Sequence, residues 1–322
     1  MPLLDQPVNV LMLGLAGSGK TSYMSSVYAL CNDNEEQFFG FSIRIANYQL
    51  HTHLLRLASD IHIGKWPAGT DVMEEYRFNL MHEGDNVTDF IWADYRGGAL
   101  TSDNKDEIDA LSASMKTADA IMIFVDGAKL TSGSRHQFRS QVSRLTNLVN
   151  HSIAGRNDPV VVVLVLTKSD LGLGDDRERL EDLRPFIESI NASQHIQGIF
   201  TWISCVTGGN LAIPILASAA LTVNFYYNGA VKKLEELQST IEELSEDIKR
   251  HIDNDGLGNR IGVFFFGGES EIEKAKRKYN GYQQLVTNAQ GIINRYEPLT
   301  PSVEAIINYL KNAENEGQIF RF

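Results

Sequence analysis

Two cysteines in 322 residues, Cys31 and Cys205, are too few for a disulfide framework or a thiolate zinc site. A reducing, cytoplasmic compartment is the natural expectation. Positive charge is also scarce: 29 Lys and Arg stand against 41 Asp and Glu, for a net charge of -12. A general nucleic-acid binder carries a basic footprint, so no nucleic-acid partner is expected. Broad attraction to an anionic membrane surface is disfavoured for the same reason. The apolar stretch at 211–227, LAIPILASAALTVNFYY, has 17 residues and includes Pro214 and Asn224. That is short of the ~20 a bilayer span needs, and the stretch reads as a helix packed on a sheet and continuing onward. Residues 1–10 have no basic segment followed by an apolar core, so no signal peptide is expected. The histidines are scattered, without metal-ligand or Ser-His-Asp spacing. What remains is a composition of 43% apolar and 22% charged residues, ordinary for a soluble chain with a large core. The length exceeds one typical domain and falls short of three.

Against this plain background, residues 14–21 stand out: GLAGSGKT fits G-x-x-x-x-G-K-[ST] at every fixed position. Gly14, Gly17 and Gly19 let the backbone curl so that N–H groups face a polyphosphate. Lys20 can reach β- and γ-phosphate oxygens, and the Thr21 hydroxyl can ligate the Mg2+ that bridges them. The apolar run 8–13 before the loop reads as a buried strand. Residues 21–30 after it read as a helix with its N-terminus toward the phosphates.

Alternation continues along the chain. Strands are expected at 41–45, 76–81, 87–93, 120–125, 160–166 and 199–204, with a helix at 48–63 and helical patterns between the later strands. The continuous β-branched runs at 120–125 and 160–166 suit central parallel strands buried on both faces. The expected fold is α/β, a mostly parallel sheet flanked by helices, with ligands at the carboxyl ends of its strands.

Further motifs fall at those carboxyl ends. Asp94-Tyr95-Arg96-Gly97 is a D-x-x-G arrangement in which Asp94 would hold Mg2+ through a water and the Gly97 N–H would meet the γ-phosphate. Thr167-Lys168-Ser169-Asp170 matches [NT]-K-x-D. Asp170 can accept two hydrogen bonds from the guanine N1–H and amine, a donor pair adenine lacks. The Lys168 stem can lie along the base. Ser204-Cys205-Val206 resembles a third, S-A-K-type loop whose backbone meets guanine O6, with Val206 lacking the usual Lys contact. The nucleotide-binding set is therefore Gly14, Gly17, Ser18, Gly19, Lys20, Thr21, Ser22, Thr167, Lys168, Asp170, Ser204, Cys205 and Val206.

These motifs, in this order, resemble a Ras-like P-loop GTPase of the translation-factor-related class over about residues 8–210. Within it the chain is similar to bacterial and phage double-GTPase-type proteins, whose G-x-W-P-x-x-T segment is matched by Gly64-Lys65-Trp66-Pro67-Ala68-Gly69-Thr70. The resemblance implies GTP or GDP and Mg2+ as ligands. It makes Thr70 a switch threonine, touching Mg2+ through its hydroxyl and the γ-phosphate through its N–H. It makes residues 31–68 an insertion. Lys20, Thr70, Arg96 and Gly97 form the candidate catalytic set. Arg96 is either an arginine finger in cis or a solvent-facing side chain. Many relatives place Gln after D-x-x-G to orient water; here the position is Gly98, so slow intrinsic hydrolysis is expected.

The last third changes character. Val231, Leu234, Leu237, Ile241, Leu244, Ile248 and Ile252 recur at three- and four-residue steps, as do Ile272, Ala275, Tyr279, Tyr282, Val286, Ala289 and Ile293. An antiparallel helical hairpin with a coiled-coil-like seam explains both. Pro301 opens a shorter third helix. The expected division is a GTPase domain over 1–228 and a helical arm over 229–322. The hairpin's connection carries Val263-Phe264-Phe265-Phe266 between glycines, which fits core, a partner or self-association site, or a peripheral membrane tip. The leading expectation is a GTP-binding switch whose arm is an effector or assembly element. A nucleotide-bound scaffold without turnover and a membrane-associated or oligomerising GTPase are the alternatives.

Overall fold

The computed structural model describes residues 7–33, 35–68, 74–94, 105–130, 135–153, 156, 158–171, 176–193, 195–254 and 271–321. They form two compact units. One comprises Pro7–Val223 with Leu299–Phe322, and the other is built on Asn224–Pro298.

The first unit is organised by one eight-stranded sheet. Its strands are β1 (Val8–Gly14), β2 (Phe41–Arg44), β3 (Glu74–His82), β4 (Asp85–Asp94), β5 (Ala120–Asp126), β6 (Val160–Thr167), β7 (Ile196–Trp202) and β8 (Ile319–Arg321), in the order β2-β3-β4-β1-β5-β6-β7-β8. The central pairs β4/β1, β1/β5, β5/β6 and β6/β7 are parallel, while β2/β3, β3/β4 and β7/β8 are antiparallel. β5 and β6 are buried along their whole lengths, which is why their sequences do not alternate. The β3–β4 hairpin turns through Glu83 and Gly84, both at positive φ (50° and 93°), the geometry a two-residue connection requires.

Helices cover both faces of the sheet. Leu11, Leu13, Ile121, Ile123, Val162 and Leu164 share one cluster with Leu111 and Met115 of α3 (Lys105–Thr117), Val142, Leu145 and Val149 of α5 (Arg135–Ile153), and Leu183, Phe186 and Ile190 of α6 (Asp176–Asn191). The short α4 (Gly127–Leu130) directly follows β5. The alternate residues point the other way. There Tyr23 of α1 (Lys20–Asp33) meets Phe124 at a tilt and Trp92 edge-on, at ring-centroid separations of 5.1 and 5.9 Å. α2 (Tyr48–His62) is capped by the Asn47 side chain, which accepts from the Gln49 and Leu50 N–H groups. It packs on α1 through buried Leu54, Ala58 and Ile61.

α7 (Ala212–Asn254) begins with buried Ile213, Ile215, Leu216 and Ala220 in the sheet unit. The expected apolar helix that continues onward is therefore present. Among the described residues no helix is long and apolar enough to cross a membrane. In the second unit, the later part of α7 and α8 (Glu271–Tyr296) form the helical hairpin. Ala230 and Leu237 are buried, as are Ala289, Ile292, Ile293 and Tyr296, and Tyr226 meets Tyr296 at 6.0 Å. Burial thus follows the three- and four-residue steps of the sequence. Val263-Phe264-Phe265-Phe266 lies outside the described residues.

One connection differs from the sequence reading, which groups 299–322 with the arm. α9 (Thr300–Asn315) and β8 belong instead to the sheet unit. The reason is local: β8 pairs antiparallel with β7, α9 buries Val303, Ile306 and Leu310, and Ser302 meets His82 of β3 at 2.8 Å.

Candidate nucleotide-binding site

The segments that follow β1, β6 and β7 open onto a cavity of about 540 Å³. Its lining includes Gly17, Ser18, Gly19, Lys20, Thr21, Ser22, Thr167, Lys168, Asp170, Cys205 and Val206. Three segments that the sequence reading singles out separately therefore share one wall.

The phosphate loop leaves β1 through Gly14, where a Cβ would lie 2.5 Å from the Phe124 carbonyl oxygen and 2.6 Å from Ser18 Oγ. Only glycine fits that approach, so Gly14 shapes the loop from behind without lining the cavity. Gly17 and Gly19 hold φ values of 75° and 91°. Lys20 is buried; its ammonium donates to the Gly14 carbonyl at 3.0 Å and lies 3.9 Å from Asp94 Oδ1. Burial lowers its pKa below the ordinary lysine value, and the Asp94 charge partly offsets this. The Ser18 hydroxyl is buried and has no hydrogen-bond partner among the described residues. It lies on the Gly14 side of the loop, 2.6 Å from where a Gly14 Cβ would be, so glycine at 14 leaves room for it.

Asp94, the last residue of β4, is fully buried and accepts a hydrogen bond from the Thr21 hydroxyl at 3.1 Å. An alcohol and a carboxylate adjoining a phosphate loop make an oxygen-only donor set, which fits Mg2+. Thr70, Arg96 and Gly97 lie outside the described residues.

On the opposite side, Thr167 donates from its hydroxyl to the Ser18 carbonyl at 2.8 Å and the Val125 carbonyl at 3.2 Å. Thr167 thus ties the turn that carries Asp170 to the phosphate loop. Lys168 sits at φ 62°, a left-handed conformation that costs free energy in a non-glycine residue. A 2.7 Å ion pair to Asp126 and a hydrogen bond from the Ser169 N–H to the Ile203 carbonyl hold it there. Asp170 accepts from Ser204 Oγ at 2.7 Å, and Ser204 in turn accepts from the Val206 and Thr207 N–H groups. Ser204 therefore stands behind the site as the brace of Asp170. Cys205 lines the cavity, but burial pushes its thiol up to about 12, so it stays protonated at neutral pH.

Two groups escape the sequence motifs. Asp126 closes β5 and pairs with Lys168; its place at a strand's carboxyl end is the only sequence signal for it. Trp66, Pro67 and Ala68 also line the cavity. In sequence they appear only as the lead-in to Thr70.

Comparison with known proteins matches residues 9–197 to the Double-GTPase 2 family model. The chain belongs to the Double-GTPase 2 family. Its sheet, phosphate loop and flanking helices are those of a P-loop GTPase, followed by a helical hairpin. No curated protein matches the sequence closely enough to count as a relative. Among solved structures, it is similar to a bacterial selenocysteine-specific elongation factor EF-Sec, with 14% identity, a TM-score of 0.37, and 66% of this chain and 28% of that one covered. The signal recognition particle receptor SRb-GTP/SRX complex from Chaetomium thermophilum gives 12%, 0.38, 62% and 91% for the same quantities. A GTP-binding protein from Sulfolobus solfataricus in complex with GDP gives 14%, 0.38, 67% and 53%. The chain thus spans well under two thirds of the length of the first and third of these.

Proposed function

We propose that this Double-GTPase 2 family member is a GTP-binding switch that hydrolyses GTP slowly. The observation that carries the reading is the convergence of the phosphate loop and Asp170 on one cavity, with Asp170 braced by Ser204. In this reading Lys20 and the loop N–H groups bind the β- and γ-phosphates. Asp170 takes the guanine N1–H and amine, and Lys168 covers the base plane from its fixed position. Thr21 and Asp94 would hold Mg2+, joined by Thr70 when the triphosphate is bound; the ion would neutralise phosphate charge.

Hydrolysis is in-line attack of water on the γ-phosphorus, breaking the bond to the β–γ bridging oxygen and releasing GDP and phosphate. Lys20 stabilises the charge that develops on the leaving oxygen, and the Gly97 N–H meets the γ-phosphate. Arg96 of the D-x-x-G segment acts as a finger in cis or faces solvent. Gly98 offers no side chain to orient the water, which is why turnover is slow. In this proposal the sheet unit is the switch and the hairpin its effector or assembly element.

Phosphate release from GTP under multiple turnover tests the reading. The expected rate is far below about one per second, and chelating Mg2+ with EDTA abolishes it. Faster turnover would contradict the role given to Gly98. Tight GTP binding with no phosphate release at all would favour the scaffold that binds without turnover.

A further inference from the structure

Two antiparallel helices dry only the stripe between them, and apolar side chains left half in water mark a surface that something covers. In the hairpin of α7 and α8, Ala230 and Leu237 of α7 and Ala289, Ile292 and Ile293 of α8 are buried. Farther along both helices the stripe is not dry. Ile241 and Leu244 of α7, and Tyr279, Tyr282 and Val286 of α8, are each partly exposed, and Leu285 is 46% exposed. Leu285 adjoins Val286, and Ile292 adjoins Ile293, so the α8 stripe is wider than the narrow seam of a two-helix pair. A stripe of that width suits a helix with two helical neighbours, as in a four-helix bundle.

Charge is divided between the two helices. From Leu234 to Ile248, α7 carries the acids Glu235, Glu236, Glu242, Glu243, Glu246 and Asp247 and no base. From Lys274 to Tyr296, α8 carries the bases Lys274, Lys276, Arg277, Lys278 and Arg295 and no acid. A hairpin with one acidic and one basic helix is complementary to itself. A two-fold axis lays the acidic helix of each copy beside the basic helix of the other, and both contacts form at once. We infer that a second copy of this chain covers the open stripe, hairpin against hairpin, as an antiparallel four-helix bundle. The inference deepens the assembly role proposed for the hairpin by naming the partner, and it does not depend on the nucleotide. The bundle dries Leu285 and the partly exposed side chains; the divided charge sets which helix lies beside which.

The mass of the full chain in solution, measured without nucleotide, tests this. The expected mass at micromolar concentration is twice 35.9 kDa. Leu285 is exposed in the single hairpin, so Leu285→Glu is expected to keep the helical dichroism and give a mass of 35.9 kDa. Two charge reversals ask whether the attraction runs between copies. Glu242→Lys with Glu243→Lys makes both helices basic there, and Lys276→Glu with Lys278→Glu reduces the basic helix. Each doubly substituted chain alone is expected to be monomeric, because its copies no longer attract. Mixed together, the two chains are expected to regain the doubled mass. A mass of 35.9 kDa for the unsubstituted chain up to its solubility limit would overturn the inference. So would a doubled mass that survives Leu285→Glu and both reversals, which would put the interface elsewhere, or reversed chains that stay monomeric when mixed. Monomeric protein that floats with vesicles of phosphatidylserine and phosphatidylcholine would assign the stripe to a lipid surface and also overturn it. None of these outcomes touches GTP binding, and a failure to bind GTP would leave the mass as it is.

Discussion

Replacing Lys20 with Met is expected to lower affinity for GTP and GDP at least about a hundredfold while leaving a folded protein. The two halves of this expectation have one cause. The Lys20 ammonium is buried, with the Gly14 carbonyl and the Asp94 carboxylate as its described neighbours. Hydrogen bonds from a charged donor to phosphate contribute about 1.5–3 kcal/mol each, and methionine makes none. For the empty protein the same charge is a burden. Burial depresses the lysine pKa in the folded state, so between that lowered value and 10.5 the unfolded chain holds more protons. Stability contributed by this group is therefore present above 10.5 and is lost as pH falls through the lowered value. A methionine of similar length removes the desolvated charge. The Lys20→Met protein should then melt near the temperature of the unsubstituted one, without the increase that GDP produces in the latter. Calorimetric titration and thermal melts with and without GDP measure both halves. A variant that binds GTP and GDP within about tenfold of the unsubstituted protein would contradict the phosphate assignment.

The second large effect is on the fold itself. Trp92 of β4 is fully buried and meets Tyr23, Phe78 and Phe90 at ring-centroid separations of 5.9, 5.9 and 5.8 Å. It links α1, which begins at the phosphate loop, to the strand that ends in Asp94. Trp92→Ala leaves a cavity among these rings and should destabilise the protein by about 3–5 kcal/mol. Denaturant unfolding followed by far-ultraviolet dichroism reads this directly. Only Ala93 separates Trp92 from Asp94, so nucleotide affinity should fall along with stability. A loss under about 1 kcal/mol would mean that this aromatic cluster does not hold β4 against α1.

The parts of this architecture that sequence made legible are those with strong local physics. The runs at 120–125 and 160–166 could only be strands buried on both faces, and the structure extends each by one residue or so, to β5 and β6. The phosphate loop announced itself because glycine spacing and a following helix are required together. The hairpin was legible because an apolar stripe on a charged helix needs a partner. β8 was not legible. It is three residues long, lacks an alternating pattern, and becomes a strand only because β7 offers an open edge. Its pairing draws α9 to the sheet unit, which no local pattern around Pro301 foretells. Asp126 was missed for a related reason: a lone aspartate after an apolar run has no meaning until β6 brings Lys168 within 2.7 Å. In sequence, Ser204 belongs to a base-contacting loop; in the structure it braces Asp170, a role that depends on β6 and β7 being neighbours. In sequence, Trp66 stands out only as part of the G-x-W-P-x-x-T resemblance. Its exposure at the cavity is visible only once the end of α2 lies beside the phosphate loop.

The central claim is that Asp170 makes this a guanine-nucleotide pocket. Displacement of fluorescent GDP by GTP and by ATP, in the unsubstituted protein and in Asp170→Ala, tests it most directly. The account predicts that GTP displaces the probe at concentrations at least about a hundredfold lower than ATP, because a site built to bond the guanine edge rejects a base without those donors. In Asp170→Ala the two nucleotides should fall within a few-fold of each other. Equal displacement by GTP and ATP in the unsubstituted protein would contradict the claim and leave a phosphate-loop protein without base selectivity.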